Sequence, residues 1–420
     1  RGTGKLPQIG PGLVAWAYDP SPNSIFQVES AMIAAQNCRA FMYSETMRQD
    51  GLLDSLWFRE MGAGYKEIKK IQPYLTDRDS VPCVAILFGA NTRFHDRSDV
   101  AAVLRGAMEA GTYSQFPCDI LPDRKLTPEN LAAYQAVILP EVTCLSSSDA
   151  EALGRFVESG GLLIATGLTG ARQADGRVRS NFALADLIGC DFEHVFDVYK
   201  NNLWGSYLNR NDDAIWKKLP DTTLVVHAPF VAVKPRPGVK VLAAHILPAT
   251  VWRKDAGENE QSWVNWEPPP PAKITEFPAL IETTRGKGKV VYATFDFYGM
   301  INRDYQWPLE FHYHLLRSNL EKSPLRVDLT NRRGVGATFY KKRGENVLVV
   351  HQINRTVPLL KGDVNPLKGG TLVVDEAFFK PTTSRQIHPA PQALKIKRRE
   401  GSVEIELPAV DVHSVIVLEG

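Results

Sequence analysis

The sequence predicts an α/β protein of several domains, and three observations lead to this prediction. Strand-like and helix-like segments alternate from the start to about residue 167. Several of these strands are unbroken apolar runs, which are typical of parallel strands covered on both faces. Beyond residue 324 the pattern changes to short alternating strands without helices, which favours an antiparallel β-sandwich.

The first segment reads as strand, helix, strand, helix. The runs 12–18 (GLVAWAY) and 39–43 (RAFMY) are rich in residues that favour strands. Apolar residues recur at helical spacing over 25–35 and again over 61–71. Pro73 ends the second helix, because proline has no N–H to donate.

The middle segment, which follows a polar linker at 76–80, predicts a doubly wound α/β domain. The apolar runs 83–88 (CVAILF) and 162–167 (LLIATG) suit parallel strands buried on both faces. Ser148 and Glu151 are three residues apart, so they predict a capping box at the start of the helix between those strands.

The pattern loosens beyond Cys190 and then returns. Residues of about 191–285 look like an insertion with some β structure. Helical and strand patterns resume at 288–295 and 309–320, which would complete the interrupted domain. The remaining residues contain four short alternating strands, at 336–340, 346–351, 403–407 and 412–418. We therefore expect domains at 1–79, 80–322 and 323–420.

The composition argues against two classes of partner. Forty-nine basic and 47 acidic residues give a net charge of +2. This charge produces no strong electrostatic attraction for nucleic acid or anionic lipid. No apolar run approaches the roughly 18 residues that a membrane span needs. The sequence therefore predicts neither a nucleic acid nor a membrane as partner.

The cysteines and the first residue bear on the cellular context. Five cysteines, odd in number and widely spaced, indicate buried free thiols and not a disulfide framework. The sequence begins at Arg1 without an initiator Met or a signal peptide, so we expect it to begin inside a longer protein. The compartment stays open between the cytoplasm and the periplasm or exterior.

Four motifs of the middle segment resemble the middle domain of family 42 β-galactosidases. They are 134–140 (YQAVILP), 145–150 (LSSSDA), 156–161 (FVESGG) and 163–167 (LIATG). In that family the domain is amidotransferase-like and takes part in trimer formation. The resemblance therefore implies a homo-oligomer, a trimer or a dimer.

The flanking segments agree with this resemblance. Residues 31–43 (AMIAAQNCRAFMY) look like the last helix and strand of a (β/α)8 barrel in such bacterial enzymes, although this chain has Asn37 where the family usually has Gly. Residues 349–354 (VVHQIN) and 412–418 (VHSVIVL) resemble the C-terminal β domain of related hydrolases near the α-L-fucosidase and β-galactosidase groups. The fold class implied is the end of a barrel, a class I amidotransferase-like or flavodoxin-like domain and a β-sandwich.

The resemblance implies a glycoside hydrolase in which two carboxylic acids at the ends of barrel strands do the chemistry. Most of those strands would lie before Arg1, so this chain alone would be incomplete and would need the missing barrel segment or a partner chain. Glu45, just after the last predicted barrel strand, is the candidate catalytic carboxylate. The alternative is a surface ion pair between Glu45 and Arg48.

Five residues near the two predicted barrel strands are candidates for binding the carbohydrate substrate. An aromatic ring stacks on a pyranose face, and a charged or polar group bonds its hydroxyls. The candidates are Trp16, Tyr18, Asp19, Tyr43 and Arg48. For the first three, the alternative is a core aromatic followed by a turn, since Asp-Pro and Ser-Pro follow in 19–22 (DPSP).

Three other kinds of site receive less support. Cys144 has no glycines around it to form the strained elbow of an amidotransferase nucleophile. The pairs His95/Asp96 and His312/His314 have no third and fourth ligand at zinc spacing, so no metal and no cofactor is predicted. Tryptophans of the insertion suit either carbohydrate contact or a subunit interface, and they are Trp204, Trp216, Trp252, Trp263 and Trp266.

The sequence therefore predicts part of a glycosidase for a β-galactoside or fucoside. The alternative is a non-catalytic scaffold that binds carbohydrate or holds an oligomer together.

Overall fold

A computed structural model describes residues 8–9, 23–40, 50–52, 55–96, 99–201, 203–249, 270–320, 323–356 and 364–420. The chain divides into two compact units. Unit 1 comprises Arg1–Pro82, Gln115–Asp119 and Lys322–Gly420, and unit 2 comprises Cys83–Ser114 and Ile120–Glu321. The protein is thus multidomain, and it combines helices with mixed sheets.

The described helices are numbered along the chain. Their bounds are α1 Asn23–Ala35, α2 Ser55–Ile71, α3 Ala90–His95, α4 Val100–Ser114, α5 Pro128–Leu131, α6 Ser147–Glu158, α7 Ala185–Ile188, α8 Phe297–Asn302 and α9 Gln306–Asn319. Short 3-10 turns lie at Gln72–Tyr74, Asp123–Lys125 and Trp216–Lys218. Within the described ranges, no helix is both long enough and apolar enough to cross a bilayer.

The strands are numbered in the same way. They are β1 Gln8–Ile9, β2 Arg39–Ala40, β3 Arg78–Ser80, β4 Val84–Phe88, β5 Cys118–Pro122, β6 Ala136–Leu139, β7 Leu162–Thr166, β8 Cys190–Phe196, β9 Ser206–Arg210, β10 Val225–Val226, β11 Phe230–Pro235, β12 Lys240–Pro248, β13 Pro271–Arg285, β14 Gly288–Ala293, β15 Leu325–Asp328, β16 Val335–Lys342, β17 Val347–Asn354, β18 Thr371–Asp375, β19 Thr383–His388, β20 Gln392–Ala393, β21 Ile396–Arg399, β22 Ser402–Glu406 and β23 His413–Glu419. The strand predicted at 12–18 lies outside the described residues.

A nine-stranded sheet runs through unit 2 in the order β10-β9-β12-β13-β14-β7-β6-β4-β5. Strands β14, β7, β6 and β4 pair in parallel, as their unbroken apolar sequences predict. Strands β13, β12, β9 and β10 continue the sheet in antiparallel fashion. Most strands of the predicted insertion therefore extend the same sheet, while β8 and β11 form a separate two-stranded ribbon.

The parallel strands of unit 2 are covered by helices on both faces. Leu163 and Ala165 of β7 join the apolar cluster that also holds Leu153 and Phe156 of α6. Ile164, between them, points to the opposite face, where Phe311 and Leu315 of α9 lie. Successive side chains of a strand alternate between faces, so a run in which every residue is apolar needs this double cover.

Helix α6 begins two residues earlier than the sequence suggested, so the predicted capping box was wrong in register. Ser146, and not Ser148, is the N-cap: its Oγ accepts a hydrogen bond from the Asp149 backbone N–H at 3.1 Å. The Asp149 carboxylate in turn accepts one from the Ser146 N–H at 2.8 Å. Leu145 is fully buried immediately before the cap. Burial of Leu145 fixes the residue at which the helix begins. The three consecutive serines do not show by themselves which of them is the N-cap.

Unit 1 holds two antiparallel sheets with one apolar core. Their orders are β15-β18-β22-β21 and β20-β19-β23-β17-β16-β3. Leu348 and Val350 of β17 pack with Leu372 of β18 and Val403 of β22 in one buried cluster. Val349, on the other face of β17, packs instead beside residues of α2, including Ile71.

The polar stretch 76–80, interpreted above as a linker, contains an edge strand. β3 pairs with β16 in the six-stranded sheet, and its Arg78 is buried. The Arg78 guanidinium lies 4.1 Å from the centre of the Tyr340 ring and donates hydrogen bonds to the carbonyl oxygens of Ala34 and Tyr74. The linker prediction was wrong, because groups distant in sequence stabilise the buried charge of Arg78. A local sequence pattern does not show such groups.

All five cysteines lie within the described part of the chain and carry free thiols. Cys83, Cys144 and Cys190 are buried, while Cys38 and Cys118 are partly buried.

Candidate functional site

The predicted barrel site falls outside the described residues. This applies to the candidate carboxylate Glu45 and to the substrate-binding candidates Trp16, Tyr18, Asp19, Tyr43 and Arg48. The elements beside them are described: β1 and β2 pair in parallel, with Gln8 opposite Arg39. Parallel pairing of strands connected through a helix is the arrangement that a barrel repeats.

Cys144 lies between β6 and α6, and its surroundings do not activate its thiol. Its backbone N–H donates to Thr92 Oγ1 at 3.0 Å, and the side chain is buried. Burial raises the pKa of the Cys144 thiol, so the thiolate is disfavoured. The turn between β6 and α6 does contain a positive φ, of 49°, but at Glu141 and not at Cys144.

In each of the two pairs that the sequence suggested as metal ligands, one member has a different partner. Asp96 Oδ1 lies 2.7 Å from Arg172 Nε. His312 is buried, its Nδ1 lies 3.2 Å from the Tyr298 hydroxyl, and burial lowers the pKa of His312 to about 3. Among the residues that the structure describes, no group of three or more His, Cys, Asp or Glu side chains could hold a metal.

Three aromatic side chains of unit 2 meet around His227, and we call Tyr199, Trp204, His227 and Tyr305 the aromatic cluster. The Trp204 and His227 rings stack with centroids 4.6 Å apart and planes at 9°. Tyr199 meets His227 edge-on at 6.0 Å, and the Tyr305 hydroxyl lies 2.8 Å from His227 Nδ1. Tyr199 is 48% exposed, so its ring is available at the surface.

The chain positions the aromatic cluster through two local devices. Asp197 Oδ1 accepts hydrogen bonds from the backbone N–H groups of Tyr199 and Lys200 at 3.0 and 3.2 Å, which fixes the turn after β8. Gly205 lets the start of β9 approach β10, because a Cβ there would lie 2.6 Å from the Val226 carbonyl oxygen. This approach places Trp204 against His227.

Charged groups border the aromatic cluster. Arg303 donates to the His227 carbonyl oxygen at 3.0 Å, and its Nη1 lies 3.9 Å from Asp296 Oδ2. Burial, followed by the positive charge of Arg303, lowers the pKa of His227, so its imidazole is neutral at pH 7. An exposed ring beside carboxylates and a guanidinium can stack on a sugar and bond its hydroxyls.

Sequence reasoning identified only one member of the aromatic cluster. Trp204 was proposed for carbohydrate contact or for an interface, but Tyr199, His227 and Tyr305 were missed. Those residues lie on separate loops and at the start of α9, and no local pattern joins them. Trp216 is instead buried, with its indole N–H donating to the Leu242 carbonyl at 2.9 Å. Trp252, Trp263 and Trp266 lie outside the described residues.

Residues 115–232 match a family model described as the β-galactosidase trimerisation domain. This range contains all four motifs on which the resemblance rested, so the resemblance to the middle domain of family 42 β-galactosidases is confirmed. It also contains Tyr199, Trp204 and His227 of the aromatic cluster. A search of curated proteins gives no match.

Solved structures share the fold at low sequence identity. α-L-Fucosidase isoenzyme 2 from Paenibacillus thiaminolyticus superposes with a TM-score of 0.78 at 16% identity, over 99% of this chain and 60% of its own. β-Galactosidase from Bacillus circulans sp. alkalophilus gives 0.65 at 14% identity, over 100% and 56%. A catalytic mutant of the family 42 β-galactosidase Gan42B from G. stearothermophilus gives 0.60 at 14%, over 95% and 51%. This chain therefore spans between about half and three fifths of their length.

Proposed function

Because the chain resembles the C-terminal part of a family 42-like glycoside hydrolase, we propose that it belongs to an enzyme that cleaves glycosidic bonds. The match of residues 115–232 to a β-galactosidase trimerisation domain carries this proposal. Two carboxylic acids would act, one as acid/base and the other as nucleophile or base. The names of the similar solved proteins support a β-galactoside or a fucoside as substrate.

Most of the catalytic groups would lie upstream of this sequence, since the chain spans only 51 to 60% of the solved proteins named above. Glu45 is the proposed carboxylate of this chain. The proposed substrate contacts are Trp16, Tyr18, Asp19, Tyr43 and Arg48. The upstream barrel strands, from the same polypeptide or from a partner chain, would complete the site.

The domain assignment belongs to the same proposal. Residues 1–79 would form the end of a (β/α)8 barrel, and 80–322 an amidotransferase-like α/β domain with an insertion at about 191–285. Residues 323–420 would form a β-sandwich. The parallel strands β14, β7, β6 and β4 support the α/β domain, and the two antiparallel sheets of unit 1, which also include β3 at Arg78–Ser80, support the β-sandwich. The trimerisation domain supports a homo-oligomer, as a trimer or a dimer.

The aromatic cluster favours a second function, that of a carbohydrate-binding or oligomer-forming subunit without catalysis. Tyr199 offers an exposed ring, and Arg303 and Asp197 offer polar groups beside it. Such a surface would bind sugar without needing any barrel residue. The two functions therefore differ in whether turnover accompanies binding.

Hydrolysis assays separate the two functions. The product of the complete gene and the present chain are each incubated with aryl β-D-galactosides and aryl α-L-fucosides, and native mass spectrometry gives the mass of each particle. We expect turnover only with the complete product, in a particle of two or three protomers. A folded complete product that binds these sugars but hydrolyses none of them would contradict the enzyme and support the binding subunit.

A further inference from the structure

A cavity of about 170 Å³ lies in unit 2 beside the ends of two parallel strands. Thr143 follows β6 and Leu168 follows β7, and both line the cavity. Residues that follow neighbouring parallel strands meet at the carboxyl edge of a sheet, which is where open α/β sheets bind their ligands. We call this space the carboxyl-edge cavity, and its lining includes no residue of the aromatic cluster.

Two phenylalanines form preorganised apolar walls for the carboxyl-edge cavity. The Phe182 and Phe192 rings meet edge to face, with centroids 5.6 Å apart and planes at 83°. Asn181 holds both segments, because its Oδ1 accepts the backbone N–H groups of Phe182 and Phe192, each at 2.9 Å. The Asn181 amide also donates to Asp191 at 2.6 Å. The walls are therefore fixed before any ligand arrives.

Among the described residues, three charged side chains line the same cavity, and two of them neutralise each other. Asp96 Oδ1 lies 2.7 Å from Arg172 Nε, while its Oδ2 accepts a hydrogen bond from Thr143 Oγ1 at 2.7 Å. Arg179 is the third. Its Nη2 donates to the Leu145 carbonyl oxygen at 3.1 Å. Because Asp96 pairs with Arg172, the positive charge of Arg179 has no carboxylate partner among the described residues.

Arg179 also keeps a hydrogen-bond donor unused. Its Nε is buried and has no hydrogen-bond partner in the part of the chain that the structure describes. A buried donor without an acceptor is energetically unfavourable, and more so when the group is charged. The Nε itself is covered by protein atoms, so an anionic ligand in the cavity would meet the cavity-lining part of the Arg179 side chain and balance its positive charge.

We propose that the carboxyl-edge cavity binds a small monocarboxylate with an apolar body. The carboxylate accepts a hydrogen bond from Arg179, and the apolar body lies against Phe182 and Phe192. The volume suits such a ligand, since an apolar protein cavity of roughly 150 Å³ holds one benzene molecule. The charges agree as well, because Asp96, Arg172 and Arg179 together leave one positive charge for one ligand anion.

Benzoate and benzamide test the proposal, because they share a ring and differ in charge. Each ligand is titrated into the full chain, and calorimetry and ligand-observed NMR measure its affinity. We expect benzoate to bind at least tenfold more tightly than benzamide. Equal affinity, or no binding of benzoate at 10 mM, overturns the proposal.

Arg179→Met tests the role of the guanidinium, and Arg177→Met is its matched control. Arg177 lies two residues away, is exposed, and pairs with Asp175 at 2.7 Å, so both variants lose the same charge. We expect Arg179→Met to weaken benzoate binding at least tenfold and Arg177→Met to leave it within twofold. Equal effects of the two variants would refute a specific contact.

Because loss of Arg179 also removes the bond to Leu145, a measurement on the unmodified protein is needed. Crystals soaked in benzoate should show the ring between Phe182 and Phe192 and a carboxylate oxygen within hydrogen-bond distance of the Arg179 guanidinium. Benzoate bound elsewhere, or absent from the cavity, contradicts the proposal whether or not the variant folds.

Discussion

Single residues carry much of the specific information in this protein, and Gly106 is an example. It lies on α4, where that helix meets α8. A Cβ at Gly106 would overlap the carbonyl oxygen of Tyr298. Backbone cannot move aside as a flexible side chain does, so this contact requires glycine despite the usual cost of glycine in a helix.

Gly106→Ala should destabilise unit 2 by about 2 kcal/mol or more, as overpacking of a tight contact does. Gly154→Ala is the control, because Gly154 also lies within a helix but a Cβ there would meet no atom of the described residues within 4 Å. The control should be neutral or stabilise by up to about 1 kcal/mol. Urea unfolding of both variants measures the difference. Equal stabilities would show that α4 can move away from α8.

Tyr199 is the residue through which the aromatic cluster would bind sugar. Tyr199→Ala removes the exposed ring, and we expect the affinity for galactose or fucose to fall about tenfold. Phe94→Ala is the control, since Phe94 is 80% exposed on α3 but is not in the cluster. Calorimetric titration measures both. If the Tyr199 variant binds sugar as the parent does, the cluster serves another purpose, such as a subunit interface.

Glu45 can be tested in the product of the complete gene. Replacing a catalytic carboxylate with an amide of the same shape should lower kcat at least a thousandfold on aryl glycosides, since the group acts in the transition state. Glu151→Gln, on the exposed side of α6, should leave kcat unchanged. A Glu45→Gln enzyme with full activity would favour the alternative in which Glu45 forms a surface pair with Arg48.

At the scale of elements, the start of α6 shows how burial selects one register among several. Ser146, Ser147 and Ser148 are chemically equivalent as caps. The helix begins after Ser146 because Leu145 is buried beside it and Asp149 completes the reciprocal bond. The interactions at this end satisfy two backbone donors that would otherwise lack partners.

Ser146→Ala should therefore destabilise the protein by about 1 kcal/mol, the usual effect of removing an N-cap. Ser148→Ala should change stability by less than about 0.5 kcal/mol, because within the described part of the chain the Ser148 hydroxyl bonds only the neighbouring hydroxyl of Ser146. Thermal or urea unfolding of the two variants decides. The opposite ranking would restore the register that the sequence suggested.

At the scale of the whole molecule, buried histidines make stability depend on pH. His245 and His312 of unit 2 and His413 of unit 1 are buried, and burial lowers the pKa of each to about 3. Their ordinary pKa is about 6.5. Between these values the unfolded chain binds protons that the folded chain does not, so the free energy of unfolding falls as the pH is lowered.

We expect the free energy of unfolding to fall on going from pH 7 to pH 5, by roughly 2 kcal/mol for each such histidine. His312→Leu should reduce this loss for unit 2, because one proton-binding group is removed from the unfolded chain. His194→Leu, at an exposed position of β8, should leave the loss unchanged. Urea titrations at the two pH values measure the slopes, and identical slopes for all three proteins would show that His312 is not responsible.

The sequence by itself determined the strands and helices whose formation depends on residues close by in the sequence. The apolar runs of β4 and β7 predicted buried parallel strands, and the alternating tail predicted antiparallel strands, because periodicity records which faces are buried. The motifs between Tyr134 and Gly167 also predicted the trimerisation domain.

Only the tertiary structure decided the burial of Arg78, the register of the cap at Ser146, and the meeting of Tyr199, Trp204, His227 and Tyr305. It also decided that Arg179 lies beside Phe182 at the carboxyl edge of the sheet. Each of these depends on groups distant in sequence, such as the Ala34 carbonyl beside Arg78. A local sequence pattern indicates whether a side chain is buried. The partner that stabilises a buried polar side chain comes from segments distant in sequence, and only the tertiary structure brings them together.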